Sequence, residues 1–309
     1  MIKYFKSENG RIGEIDALCA GCWVSVISPT AEEVTYLTQT LRVDPDFVRS
    51  SLDEEETSHI ETEEDQTLII IDTPVAEKQS QNTMLYYTTP IGVVILPEFI
   101  ITISLKENTI ISEFEGGMVK NAHTHMKTRF FLMLLLRMAG KYLQYLKQID
   151  KISDHLEKQL HKSMKNQELI QLLGLEKSLV YFSTSLKSNE VTLEKILRGR
   201  YIKLYEEDQD ILEDVLIEVK QAIEMSNIYS SILSGTMDAF ASIISNNLNI
   251  VMKVLTSLTI VMAIPTMIFS FYGMNTMDLP LPFTWFPIVL TVVATLAAVL
   301  ILFKKGMFK

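Results

Sequence analysis

The chain has 309 residues, of which 48% are hydrophobic, with a mean hydropathy of +0.19. Its formal net charge of -10 argues against nucleic acid as a partner and fits a protein that handles cations. The apolar excess is concentrated near the C-terminus, so two membrane segments explain it better than an unusually apolar soluble core.

The first part of the chain alternates short apolar runs with turn signals. Residues 23–27, 67–71, 83–88, 92–96 and 99–105 read as strands, with Pro90 and Pro97 punctuating the last three. A helical pattern fills residues 31–41, with Thr30 as its N-cap. This region predicts a mixed sheet with helices. Met1-Ile2-Lys3-Tyr4-Phe5-Lys6 lacks the apolar core and small-residue cleavage site of a secretory leader, so the large N-terminal part is expected in the cytoplasm. In Cys19-Ala20-Gly21-Cys22 no second pair or nearby histidine completes a zinc ligand set, and a strand pattern follows. Reduced thiols at a turn are expected there.

From Lys120 onward helical periodicity takes over, interrupted by Gly140, Gly174, Gly199 and Gly235 and free of proline until Pro265. The apolar run at residues 130–136 is too short to span a bilayer and is cut by Arg137 and Lys141, so it predicts a buried helix. His123 and His125 read as surface residues. The acidic runs at residues 53–56, 61–65 and 206–214 read as solvated faces. The last long helix starts between residues 201 and 208 and continues to residue 271, on the order of 95–100 Å at helical rise.

Two uncharged stretches, residues 254–271 and 285–303, each cover about 27 Å and are long enough to cross a bilayer with modest tilt. Lys304, Lys305 and Lys309 follow the second, whereas residues 272–284 carry no Lys or Arg. The positive-inside rule then puts the connector outside and both termini in the cytoplasm of a multi-pass cell-membrane protein. The expected division is a cytoplasmic α/β domain (1–119), a cytoplasmic helical region with a stalk (120–248), a first span (249–271), an extracytoplasmic loop (272–284), a second span (285–303) and a basic tail (304–309).

Alternating steps of three and four along the last long helix select Ile228, Ser231, Gly235, Asp238, Ser242, Ser245, Asn249, Met252, Thr256, Thr259, Ala263, Thr266 and Ser270. The period is 3.5, so these positions form one seam, almost all of it small or polar, flanked by Leu248, Ile250, Val254, Leu258 and Ile264. Hydroxyls and amides inside a bilayer face a bundle interior or water rather than lipid. Two spans cannot enclose a conduit, so the seam implies several copies around a shared axis, each residue becoming a ring. On this reading Asp238 forms a carboxylate ring in the stalk, Asn249, Thr259 and Thr266 offer neutral oxygens, and Met252 with Leu255 forms an apolar constriction. Pro265 removes one helical hydrogen bond near Thr266. Close helix packing through small residues is the alternative reading of the stripe.

Tyr272-Gly273-Met274-Asn275 stands between the two spans, and in that position resembles the signature of the CorA family of divalent-cation transporters. The resemblance is clearest from Tyr181 to the end and covers the N-terminal part by general layout. It implies an α+β cytoplasmic domain, a long stalk helix and two transmembrane helices in a funnel-shaped homopentamer. It also implies passive influx of Mg2+, with Co2+ or Ni2+ as further cargo. Gly273, Met274 and Asn275 would form the selectivity filter, Asn249, Met252, Leu255 and Thr266 fall on pore-lining positions, and Asp238 falls on an acidic stalk position. Asp214 matches one ligand of a regulatory Mg2+ site, with residues 53–56 as a candidate region for its partner. Departures are the single acid of the connector, Asp278, and a tail of only three lysines. No phosphate loop, HExxH or GxSxG occurs, so no enzyme activity and no organic cofactor are expected. Two alternatives remain at this point: a zinc transporter of the same fold, against which the intact Met274 argues, and a membrane-anchored cation sensor that does not conduct.

Overall fold

The computed structural model describes residues 1–8, 10–78, 84–163, 166–199, 201–274, 280–281 and 283–307, with the side chains of 162 and 163 left aside. The chain divides into two compact units, Met1–Ser234 and Gly235–Lys309. The first contains a seven-stranded sheet of order β2-β1-β3-β7-β6-β5-β4. Its strands are β1 (Ile2–Glu8), β2 (Arg11–Ile15), β3 (Trp23–Ile27), β4 (His59–Glu63), β5 (Gln66–Lys78), β6 (Met84–Ile95) and β7 (Ile100–Ser104). Among the described residues only β3 and β7 pair in parallel, which makes the sheet mixed as the sequence predicts.

Alternation along the strands builds two cores. Val24, Val26, Val94, Ile101 and Ile103 face Leu37, Phe47 and Val48 in one cluster. The latter come from a π-helical turn Tyr36–Thr40 and from α2 (Pro45–Ser51). Trp23 points to the opposite face, with its ring 4.9 Å from Phe5 and 5.2 Å from Phe130, and its Nε1 donates to Thr102 Oγ1 at 2.9 Å. Phe114 of α3 (Thr109–Glu115) completes that aromatic cluster. The run at 130–136 is buried within α4 (Lys127–Ser163), as expected: Phe130, Phe131, Leu132, Leu134 and Leu135 have no exposed surface. α5 (Asn166–Leu197) packs with α4 and both contact β5 and β6.

The helix at 31–41 starts where expected. Thr30 Oγ1 accepts from the Glu33 N–H while Glu33 Oε2 accepts from the Thr30 N–H, a complete capping box for α1 (Ala31–Thr35). Strands 83–88 and 92–96 are in fact one strand, β6, running through Pro90; Thr83 lies outside the described residues. β7 pairs with β6 only from Ile91 to Ile95, so the absent proline donor falls beyond the end of β7 and no ladder bond is lost. β5 likewise runs far past residue 71. β1, β2 and β4 have no counterpart among the expected strands; β4 is a polar edge, His-Ile-Glu-Thr-Glu, of the kind that resists further pairing.

The final two helices are α6 (Glu206–Tyr272, 67 residues) and α7 (Trp285–Lys304, 20 residues). Both are long and apolar enough to cross a membrane. Only 6% and 17% of their most apolar windows are buried, unlike the core helix of a soluble protein.

Candidate functional site

Every residue of the expected seam lies on α6, which continues unbroken through Pro265. In the second unit Asp238, Ser242, Ser245, Asn249, Met252, Thr256, Thr259, Ala263, Thr266 and Ser270 are all exposed, as is Leu255 beside them. The covered positions of the same helix include Phe240, Ser257, Val261, Ile264 and Ile268, none of them a seam residue. On α7 the covered positions include Pro287, Thr291 and Leu302. The rings of Tyr272 and Phe286 lie 6.1 Å apart, which sets the start of α7 beside the end of α6. The polar seam is thus left open, and Leu258, Thr259, Met262, Ala263, Thr266 and Met267 line a groove along it.

The seam hydroxyls are oriented. Thr259 Oγ1 donates to the Leu255 carbonyl at 2.9 Å and Thr266 Oγ1 to the Met262 carbonyl at 3.1 Å. With each proton committed to the backbone one turn earlier, the outward lone pairs are free to accept. Such an oxygen suits a cation or the hydrogens of its water shell. Pro265 has no N–H to offer the Val261 carbonyl, which adds an acceptor one turn earlier in the same stretch.

At the end of α6 the Gly273 N–H donates to the Phe269 carbonyl at 2.9 Å. A Cβ on Gly273 would lie 3.1 Å from that same oxygen, so glycine lets the chain leave the helix without displacing it. Met274 is exposed, and the Tyr272 hydroxyl donates to the Pro280 carbonyl at 3.0 Å. Asn275 and Asp278 lie outside the described residues.

In the first unit Asp214 is exposed on α6, and Glu218 stands one turn further along it. Burial first, and then the Asp214 charge, raise the Glu218 carboxyl above its ordinary value. Glu218 was not among the expected site residues, although its i+4 spacing from Asp214 is visible in the sequence. Among the described residues no three His, Cys, Asp or Glu side chains converge as a metal site. Of the acids at 53–56, Glu54 pairs with Lys106 at 2.6 Å and Glu56 approaches His59 at 3.6 Å. The acids opening α6 have local roles: Glu207 pairs with Arg129 at 2.8 Å, and Asp208 Oδ2 accepts from the Tyr205 N–H at 3.3 Å. The rings of His123 and His125 are 5.5 Å apart.

The profile of the CorA-like Mg2+ transporter protein family matches residues 20–305. The chain is 28% identical over 298 residues to the cobalt/magnesium transport protein CorA of Methanocaldococcus jannaschii, covering 92% of this chain and 90% of that protein. It is 26% identical over 174 residues to the cobalt/magnesium transport protein CorA of Thermotoga maritima, covering 56% and 50%. The complete structure of the CorA magnesium transporter from Methanocaldococcus jannaschii superposes with a TM-score of 0.81 at 23% identity, covering 99% of this chain and 96% of that one. The fold is thus shared along almost the whole chain: an α+β sheet domain followed by two membrane-length helices, the first of which is the long α6. With a transporter profile over nearly all of its length, this chain belongs to the CorA-like Mg2+ transporter family and not to a family of enzymes.

Proposed function

We propose that this protein admits Mg2+ passively through a central pore lined by the α6 seams of a homopentamer in the cell membrane, with both termini cytoplasmic. The observation that carries this reading is the open polar seam of α6, whose hydroxyl protons are tied to the backbone while its face away from the covered side stays exposed. Around a fivefold axis Asn249, Thr259 and Thr266 become rings of neutral acceptors, and Met252 with Leu255 becomes an apolar ring that gates by excluding water. Mg2+ gives up its waters reluctantly, so outer-shell contacts from amide and hydroxyl oxygens suit it better than a cage that strips them. Asp238 concentrates cations in the stalk.

Gly273, Met274 and Asn275 form the outer mouth, where the Asn275 amide oxygen and backbone carbonyls accept from the hydrated ion. Asp214, with Glu218 beside it, supplies carboxylate oxygens to a regulatory Mg2+ whose remaining ligands come from a neighbouring copy. A membrane potential of 100 mV contributes about 4.6 kcal/mol to the entry of a divalent ion, sufficient to drive uptake without ATP.

Uptake into proteoliposomes loaded with a Mg2+ indicator tests the reading. Inside-negative vesicles are expected to fill with Mg2+, and Asn275→Ala is expected to lower the flux about tenfold or more, equivalent to about 1.4 kcal/mol at the barrier. Undiminished flux in Asn275→Ala would remove the mouth from the proposal. Zn2+ entering in preference to Mg2+ would replace the cargo, and no flux of either ion would leave a cation-binding membrane protein that does not conduct.

A further inference from the structure

The cysteine pair has a geometry that its sequence alone does not disclose. Cys22 N–H donates to the Cys19 carbonyl at 3.2 Å, closing a four-residue turn with Gly21 in the left-handed region at φ +74°. The turn is held from outside: the Gly21 N–H donates to the Glu98 carbonyl at 2.7 Å, and a Cβ on Gly21 would meet His125 Cβ at 2.9 Å. Turns closed in this way bring their end Cα atoms within about 7 Å, and disulfides span about 4.4–6.8 Å between Cα atoms. The two positions differ in access: Cys19 is partly exposed, whereas Cys22, just before β3, has no exposed surface.

We propose that Cys19 and Cys22 form a reversible thiol–disulfide modification site that closes by exchange with a small disulfide co-reactant. The Cys19 thiolate attacks one sulfur of that disulfide, whose S–S bond breaks and releases one small thiolate, which takes a proton. The Cys22 thiolate then attacks Cys19 Sγ, the mixed S–S bond breaks, and the second small thiol leaves. Two protein thiols are oxidised to one disulfide, and one small disulfide is reduced to two thiols. Cys19 attacks first because it can be reached, while burial raises the Cys22 thiol and leaves it the slower nucleophile, which loses its proton to water before it attacks the mixed disulfide. The inference is independent of ion transport.

The test incubates the full-length, detergent-solubilised protein with oxidised glutathione, blocks remaining thiols by alkylation and maps the peptides by mass spectrometry. Both thiols are expected to disappear together into a Cys19–Cys22 linkage that reduced glutathione reverses. Cys22→Ser is expected to accumulate a mixed disulfide at Cys19, and Cys19→Ser to take up glutathione about tenfold more slowly or less. Full alkylation of both wild-type thiols after oxidation, or equal glutathione uptake by the two variants, would overturn the proposal. The wild-type result decides the matter even if a serine in the core at position 22 destabilises the fold.

Discussion

Asp72 shows how one residue departs from its local pattern. It interrupts the apolar run of β5 and is only 8% exposed, with burial pushing its carboxyl up to about 6 and a hydrogen bond from Ser185 offsetting part of that shift. Between about pH 4 and pH 6 the folded protein keeps a proton that the unfolded chain has released, so raising the pH through this window removes stability. Two pKa units correspond to on the order of 2–3 kcal/mol. Asp72→Asn should therefore be more stable than wild type at pH 7 by up to that amount, with the gap nearly closed at pH 4. Denaturant titrations at the two pH values check this, and a gap that does not change with pH would show that Asp72 ionises normally. Gly273 and Gly21 illustrate a different kind of residue-level constraint. The first is legible from the signature it belongs to; the second owes its role to His125, more than a hundred positions away.

Elements are tied together where the ladder stops. β4 pairs with β5 only as far as Ile70, so the Asp72 N–H and C=O on that side have no strand partner. The Asn189 side chain of α5 takes the strand's place, with Oδ1 accepting from the Asp72 N–H at 3.0 Å and Nδ2 donating to the Asp72 carbonyl at 2.8 Å. The Tyr142 hydroxyl of α4 donates to the same carbonyl at 3.0 Å. Asn189→Ala leaves a buried N–H unpaired and should cost about 1–3 kcal/mol, measured by denaturant titration. Faster amide exchange at Asp72 should accompany it. If stability is unchanged, the edge is held by packing alone. In the sequence α5 offers Asn189 as one polar residue among many, and only its seat against β5 separates it from a solvated one. The helices were easier to read: α6 begins within the expected limits and ends one residue past them, because periodicity and the Gly273 stop act within a few residues.

At the scale of the whole molecule the proposed pore requires several identical chains. Native mass spectrometry of the detergent-solubilised protein is expected to give a pentamer of the 35.2 kDa chain, and a monomer would leave the α6 seam with nothing to face. The two membrane-length helices, the long α6, its polar stripe and the signature after it were all determined by the sequence alone. Each is a property of contiguous residues, and helical rise, period and desolvation cost apply to any chain of that composition. Only the tertiary structure decided that β5 and β6 run on through their prolines, that β1, β2 and β4 join the sheet, and that Asn189 and His125 matter at all. Those features depend on where a distant segment ends or packs. A missing donor, a buried carboxylate or a crowded glycine becomes tolerable, or costly, only once its neighbour in space is known.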